Sequence, residues 1–131
     1  MDKNATVGDY MTSLVHTVGT EQTISFALDH MREHQIRHLP VLRGGRLVGL
    51  VSDRDLGLVA GLNDVNPDNT KVEEAMTAVP YTTTPGTPLL DVLQQMTEHK
   101  YGSVIVMEGS KVAGIFTTYD ALILLTRVVQ G

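Results

Sequence analysis

Gly49-Leu50-Val51-Ser52-Asp53-Arg54-Asp55 runs from an apolar stretch into a hydroxyl residue, with a carboxylate three positions on, and 65 residues later the chain repeats the pattern as Gly114-Ile115-Phe116-Thr117-Thr118-Tyr119-Asp120. Each segment reads as a strand that ends on Ser or Thr, where a helix begins. The free N–H groups and positive dipole end of the new helix favour an anion, and the hydroxyl adds a donor. An aspartate one turn in can accept two hydrogen bonds from a diol such as ribose. Ser or Thr followed three residues later by Asp is also a weaker form of the helix-capping box, and a duplicated cap would repeat as well. The segment alone supports both a nucleotide contact and a plain helix start.

Working outward, the 65-residue offset holds without a gap from residue 7 to residue 57, and twelve of these fifty-one positions are identical to their partners. Composition alone would give about three. The matches include Met11-Thr12 with Met76-Thr77, Thr17 with Thr82, Met31 with Met96, His34 with His99, Val41 with Val106 and Asp55 with Asp120. Two copies of one supersecondary unit are the simplest account. A copy of about 55 to 60 residues is marginal alone, so the two are expected to share a core face to face.

Each copy reads as β-α-β-β-α. After a short extended piece near Val15 to Val18, Ile24, Ala27, Leu28 and Met31 fall on one helical face, as Leu89, Val92, Leu93 and Met96 do in the second copy. Thr20 or Thr23 can cap the first of these helices, and Pro88 suits the first turn of the second. Two β-rich runs, His38 to Leu42 and Arg46 to Ser52, flank Arg43-Gly44-Gly45, a hairpin signal that Glu108-Gly109-Ser110 repeats. A second helix follows, Asp53 to Ala60 and Thr118 to about Val129. The segment 62–71, LNDVNPDNTK, reads as a linker between a first repeat over 7–61 and a second over 72–129. The fold class is α/β, with helices against small mixed sheets.

Composition narrows the function. The 131 residues include no cysteine, which removes disulfides and thiolate chemistry and fits a reducing compartment, so the cytoplasm is the expected location. No long apolar span and no basic, apolar leader is present at the N-terminus, so neither membrane insertion nor export is expected. Ten Lys and Arg against fifteen Asp and Glu give a net charge of −5, which argues against a nucleic-acid partner. A small anion in one local basic pocket stays compatible with that charge.

The duplicated Gly-apolar-apolar-Ser/Thr-x-x-Asp, the segment Ile36-Arg37-His38-Leu39-Pro40-Val41 and the opening Val7-x-x-x-Met11-Thr12 resemble cystathionine β-synthase (CBS) domains, arranged as a stand-alone tandem pair, or Bateman module. The resemblance covers about residues 7 to 129. It implies two repeats packed through their sheets with pseudo-two-fold symmetry, and clefts that hold AMP, ADP, ATP or S-adenosylmethionine as a regulatory ligand. It also implies no catalytic chemistry, pairing into homodimers, and a partner protein that reads the ligand state. Carried over by position, Asp55 and Asp120 would hold ribose, and Ser52 and Thr117 would meet phosphate. Thr17, Val18, Ile36, Leu39 and Pro40 would enclose adenine in the first copy, as Thr82, Thr83, Tyr101, Val104 and Ile105 would in the second.

The copies differ in charge. Arg37, His38 and Arg54 surround the first motif, whereas Gly102, Ser103 and Tyr119 stand at the equivalent positions, and five of the six arginines lie in the first copy. Guanidinium suits bidentate phosphate contact, so the first copy is expected to take the more phosphorylated ligand. Arg54 could equally be a solvated helix residue paired with Asp53 or Asp55. His30 and His34 have the i,i+4 spacing that can bind zinc, but no third ligand is placed by the sequence. The expectation is therefore no metal, with His34 and His99 serving helix C-termini, and His16 carries no assignment. The apolar run Ala121 to Val129 suits either core packing on Leu56, Leu58 and Val59 or an interface. It also keeps open an alternative function, a nucleotide-independent interaction scaffold.

Overall fold

The computed structural model describes residues 3–78 and 81–131. In chain order the elements are α1 (Val7–Tyr10), β1 (Val18–Gly19), α2 (Ile24–His34), β2 (His38–Arg43), β3 (Arg46–Ser52), α3 (Asp53–Ala60), a 3-10 turn (Val72–Glu74), β4 (Thr77–Ala78), β5 (Thr82–Thr83), α4 (Leu89–His99), β6 (Ser103–Glu108), β7 (Lys111–Thr117) and α5 (Thr118–Gln130). The strand and helix types expected in each repeat are present, and the mixed α/β class holds.

There are two sheets, ordered β1-β2-β3-β4 and β5-β6-β7. In the first, β1 runs parallel to β2 with Val18 opposite Val41, and β2–β3 is an antiparallel hairpin. The second repeats this, with Thr83 opposite Val106 and β6–β7 as the hairpin. Parallel neighbours need a crossover, which α2 and α4 supply. Thr23 caps α2 by accepting from Phe26 N at 3.1 Å. Both crossover helices end in a left-handed residue, Gln35 at φ 54° and Lys100 at φ 59°, 65 positions apart.

The chain folds as two compact units, and these are a different division from the sequence repeats. One contains described residues 16–78, the other residues 3–15 together with 81–131. In the first unit Val18, Ile24, Ala27, Met31, Leu39, Val41, Val51, Leu56 and Val72 form the core. In the second the core is Ala5, Val7, Leu89, Val92, Met96, Val104, Val106, Phe116 and Leu124. The opening of each sequence repeat thus completes the core made by the body of the other. The hydrogen bonds that join them are duplicated too: Ile24 N donates to Thr70 O and Val72 N to Gln22 O, as Leu89 N donates to Ala5 O and Val7 N to Thr87 O.

Gly49 and Gly114 explain one invariant of the repeat. Met76-Thr77 crosses Gly49, where an added Cβ would lie 2.6 Å from the Met76 sulfur and 2.9 Å from Thr77 O. Met11-Thr12 crosses Gly114 in the same way, with Thr12 O 2.9 Å from that Cβ position. Gly57, inside α3, is the opposite case, because nothing lies within 4 Å of an added Cβ. Gly57→Ala is expected to raise stability by about 0.5–1 kcal/mol through helix propensity, measurable by urea unfolding.

Candidate functional site

At the end of β3 the chain turns into α3, and Ser52 is its N-cap. Ser52 Oγ accepts from Asp55 N at 3.0 Å, while Asp55 Oδ2 accepts from Ser52 N at 3.3 Å. Thr117 and Asp120 form the same reciprocal box at the head of α5, with Asp120 Oδ2 accepting from Thr117 N at 2.8 Å. The capping geometry allowed by the sequence is therefore realised in both copies. It positions the carboxylates without consuming them equally. Asp55 Oδ1 has no hydrogen-bond partner among the described residues, whereas Asp120 Oδ1 accepts from Thr12 Oγ1 at 3.3 Å.

The start of β2 is tied to the same place. Asp53 N donates to Arg37 O at 3.0 Å, and His38 sits opposite Ser52 in the β2–β3 ladder. Arg37, His38, Ser52, Arg54 and Asp55 are thereby gathered at the head of α3. Arg43 is committed to Glu73 at 2.7 Å and Arg32 to Asp29 at 3.0 Å. Arg37 and Arg54 have no ion-pair partner among the described residues, and both are exposed. The pairing of Arg54 with Asp53 or Asp55 is not formed, although Asp53 Oδ1 accepts from Arg54 N at 2.9 Å. A depression of about 360 Å³ lined by Leu28, Met31, Arg32, Gln35, Ile36, Arg37 and Asp53 borders this point from the α2 side.

His38 is held below its ordinary pKa of 6.5, chiefly by burial, with Arg37 acting in the same direction and Asp53 and Asp55 opposing. The folded chain then binds fewer protons at this site than the unfolded chain as pH falls through 6.5. The stability contributed by neutral His38 is present above that value and is lost as pH falls through the depressed folded value. Thermal melts between pH 8 and 5 are expected to show this fall, with a shallower slope in His38→Gln.

The remaining expected residues divide by burial. Thr17 and Ile36 are half-buried, but Val18, Leu39 and Pro40 are buried, and Val18 and Leu39 belong to the core, so these two present backbone rather than side chain. In the second unit Thr118 N donates to Gly102 O at 3.1 Å, which brings Gly102 to the head of α5 as Arg37 is brought to α3. Val104 and Ile105 are fully buried. Ser103, opposite Thr117, is 5% exposed and its Oγ has no hydrogen-bond partner among the described residues. Thr83 Oγ1 donates to Thr87 Oγ1 at 2.7 Å, while Thr82 is exposed. The Tyr101 ring is already stacked with Tyr81 and His99, at centroid distances of 5.1 and 5.2 Å. Tyr119 is 70% exposed. Gly102, Ser103 and Tyr119, the counterparts of Arg37, His38 and Arg54, bring no cation to this second position.

One grouping was not legible in the sequence. His16 lies beside His30 and His34, with the His16 and His34 rings stacked at 3.8 Å. Burial and the two neighbouring imidazoles hold His16 below its ordinary value of 6.5, and Glu33 opposes them. The spacing of His30 and His34 signalled a pair. The third imidazole comes from a residue before β1, and only the parallel β1–β2 pairing carries it there.

Comparison with known proteins agrees with this architecture. The family model "CBS domain" matches residues 7–56 and 72–127. The chain is 33% identical to hypoxic response protein 1 of Mycobacterium tuberculosis over 88% of its own length and 81% of that protein. A hypoxic response protein I structure with two coordinated zinc ions superposes with a TM-score of 0.75 at 32% identity, covering 91% of this chain and 98% of that one. The CBS domain pair of MJ0100, solved with 5-methylthioadenosine and S-adenosyl-L-methionine, gives 0.84 at 26% identity, with coverage of 93% and 96%. CBSX2 in complex with AMP gives 0.81 at 27% identity, with coverage of 95% and 98%. No helix among the described residues is long and apolar enough to cross a membrane. With the family model matched twice in tandem on a chain that folds as two β-α-β-β-α units, this protein belongs to the CBS-domain family.

Proposed function

We propose that the chain is a regulatory module that binds an adenosine-containing ligand, AMP, ADP, ATP or S-adenosylmethionine, at the heads of α3 and α5. It has no chemistry of its own and conveys the ligand state to a partner protein in the cytoplasm. The observation that carries this reading is the α3 head. Two guanidinium groups that have no ion-pair partner among the described residues, Arg37 and Arg54, flank a capped carboxylate with one oxygen that accepts no hydrogen bond from them. Phosphate and a ribose diol are complementary to those groups. Relatives solved with AMP, 5-methylthioadenosine and S-adenosyl-L-methionine support an adenosyl ligand. The two positions are unequal. Gly102, Ser103 and Tyr119 bring no cation to the α5 head, and Asp120 must give up Thr12 to accept a second ribose hydroxyl, so the α3 head takes the more phosphorylated ligand.

The test is calorimetric titration of nucleotide-stripped protein with adenosine, AMP, ATP and S-adenosylmethionine. Asp55→Ala is expected to weaken binding of adenosine itself at least tenfold. It also removes half of the capping box, at a cost of about 0.5–2 kcal/mol in stability. Unchanged adenosine affinity in folded Asp55→Ala would remove this residue from the site. A second reading, a nucleotide-independent scaffold, draws on α5, where Leu122, Leu125 and Val128 remain more than half exposed at three-residue spacing. The same stripe is the surface we assign to homodimer contact. Leu125→Asp is expected to lower the mass seen by light scattering from dimer to monomer.

A further inference from the structure

The geometry points to a transition-metal site, formed by His16, His30 and His34, that takes zinc in three-imidazole coordination with the fourth position left to water or an anion. The topology builds it. Because β1 and β2 are parallel, both begin at the same end of the sheet, and α2, which feeds β2, finishes at that end. His16 stands two residues before β1, and His34 closes α2. His30 lies one turn earlier, so its ring projects from the same helical face as that of His34.

One ring nitrogen from each of the three histidines lies within 4.8 Å of the other two. Tetrahedral zinc with Zn–N of about 2.0–2.1 Å sets its nitrogens roughly 3.3 Å apart. The nitrogens therefore close by at most about 1.5 Å, which rotation about the side-chain torsions supplies, since none of the three side chains is locked in the core: His16 and His30 are half-buried and His34 is exposed. His16 and His30 already meet edge to face at 5.3 Å, as His30 and His34 do at 4.7 Å, and Phe26 stacks on His30. Three imidazoles without a thiolate suit zinc, copper or nickel rather than magnesium or calcium.

The duplication provides an internal control. The positions 65 residues on from His16, His30 and His34 are Tyr81, Gln95 and His99. That corner of the second unit holds one imidazole, so the expected stoichiometry is one metal per chain. The site lies at the α2 end of the first unit and needs no part of the nucleotide reading.

The experiment uses tag-free full-length protein, stripped with chelator and titrated with Co²⁺, then with Zn²⁺ against a chromogenic chelator. The expected result is saturation at one equivalent per chain, with the visible absorption of tetrahedral Co²⁺ displaced by Zn²⁺ and unaffected by Mg²⁺. His16→Gln and His34→Gln are each expected to weaken Zn²⁺ binding at least tenfold, with thermal melts showing that both variants are folded. His99→Gln is expected to bind as the parent does. Absence of saturable binding, or equal affinity in His16→Gln, would overturn the proposal. The first outcome removes the site, and the second reduces it to a surface helix pair.

Discussion

Replacing Arg37 and Arg54 together by alanine is expected to raise the dissociation constant for ATP by about ten- to a hundredfold, while changing the affinity for adenosine by less than about threefold. A hydrogen bond to a charged group contributes about 1.5–3 kcal/mol, less where water competes, so two exposed guanidiniums supply roughly 1.4–2.8 kcal/mol, a factor of 10 to 100. Neither side chain has an ion-pair partner among the described residues, and both are exposed. The melting temperature should therefore stay within error of the parent, which separates a binding effect from a folding effect. The single variants should share the loss, and the ATP-to-adenosine affinity ratio should approach one in the double variant. Parallel titrations at low and moderate salt check the charge dependence. An unchanged ATP affinity would detach the basic cluster from ligand binding altogether.

The other large effect is structural. Gly114→Ala is expected to destabilise the chain by about 1–3 kcal/mol, the usual cost of forcing extra volume into close packing. The added methyl would press on Met11 and on Thr12 O, and the second contact is backbone that no rotamer change can move. Thr12 N donates to Ile115 O, and Thr12 O accepts in return from Ile115 N, so displacing the crossing segment also loosens that bridge. Gly49→Ala meets the equivalent obstacle at Met76-Thr77 and should cost a similar amount. Urea unfolding of both variants beside Gly57→Ala tests the contrast. A glycine with backbone across it should lose stability, and a glycine facing open space should gain it. Equal midpoints for Gly114→Ala and the parent would show that the crossing segment is not held there.

Much of the α3 and α5 heads was legible because it is local. Ser52 with Asp55 and Thr117 with Asp120 lie three residues apart, and a strand-to-helix turn fixes such pairs whatever the rest of the chain does. The hairpins were legible for the same reason, since Gly44-Gly45 and Gly109 adopt the left-handed backbone that tight turns require. The state of each carboxylate was not. Thr12 reaches Asp120 from more than a hundred residues away, and no local pattern distinguishes it from Asp55. Nor could sequence show that Arg43 is taken by Glu73 while Arg37 and Arg54 have no ion-pair partner among the described residues. The Tyr101 ring, which stood in the sequence as a wall for adenine, proves to be engaged by Tyr81 and His99.

By itself the sequence determined the repeat unit, its β-α-β-β-α order and the membership in a family, because periodicity, turn chemistry and caps act over a few residues and repeat faithfully at a fixed offset. Only the tertiary structure decided that residues 3–15 complete the second unit while Val72 and Thr77 complete the first. Both repeats carry the same edge strand and the same apolar opening, so either partner satisfies the local rules. Long-range strand pairing and core closure choose between them, and the same parallel pairing of β1 with β2 brings His16 to His30 and His34.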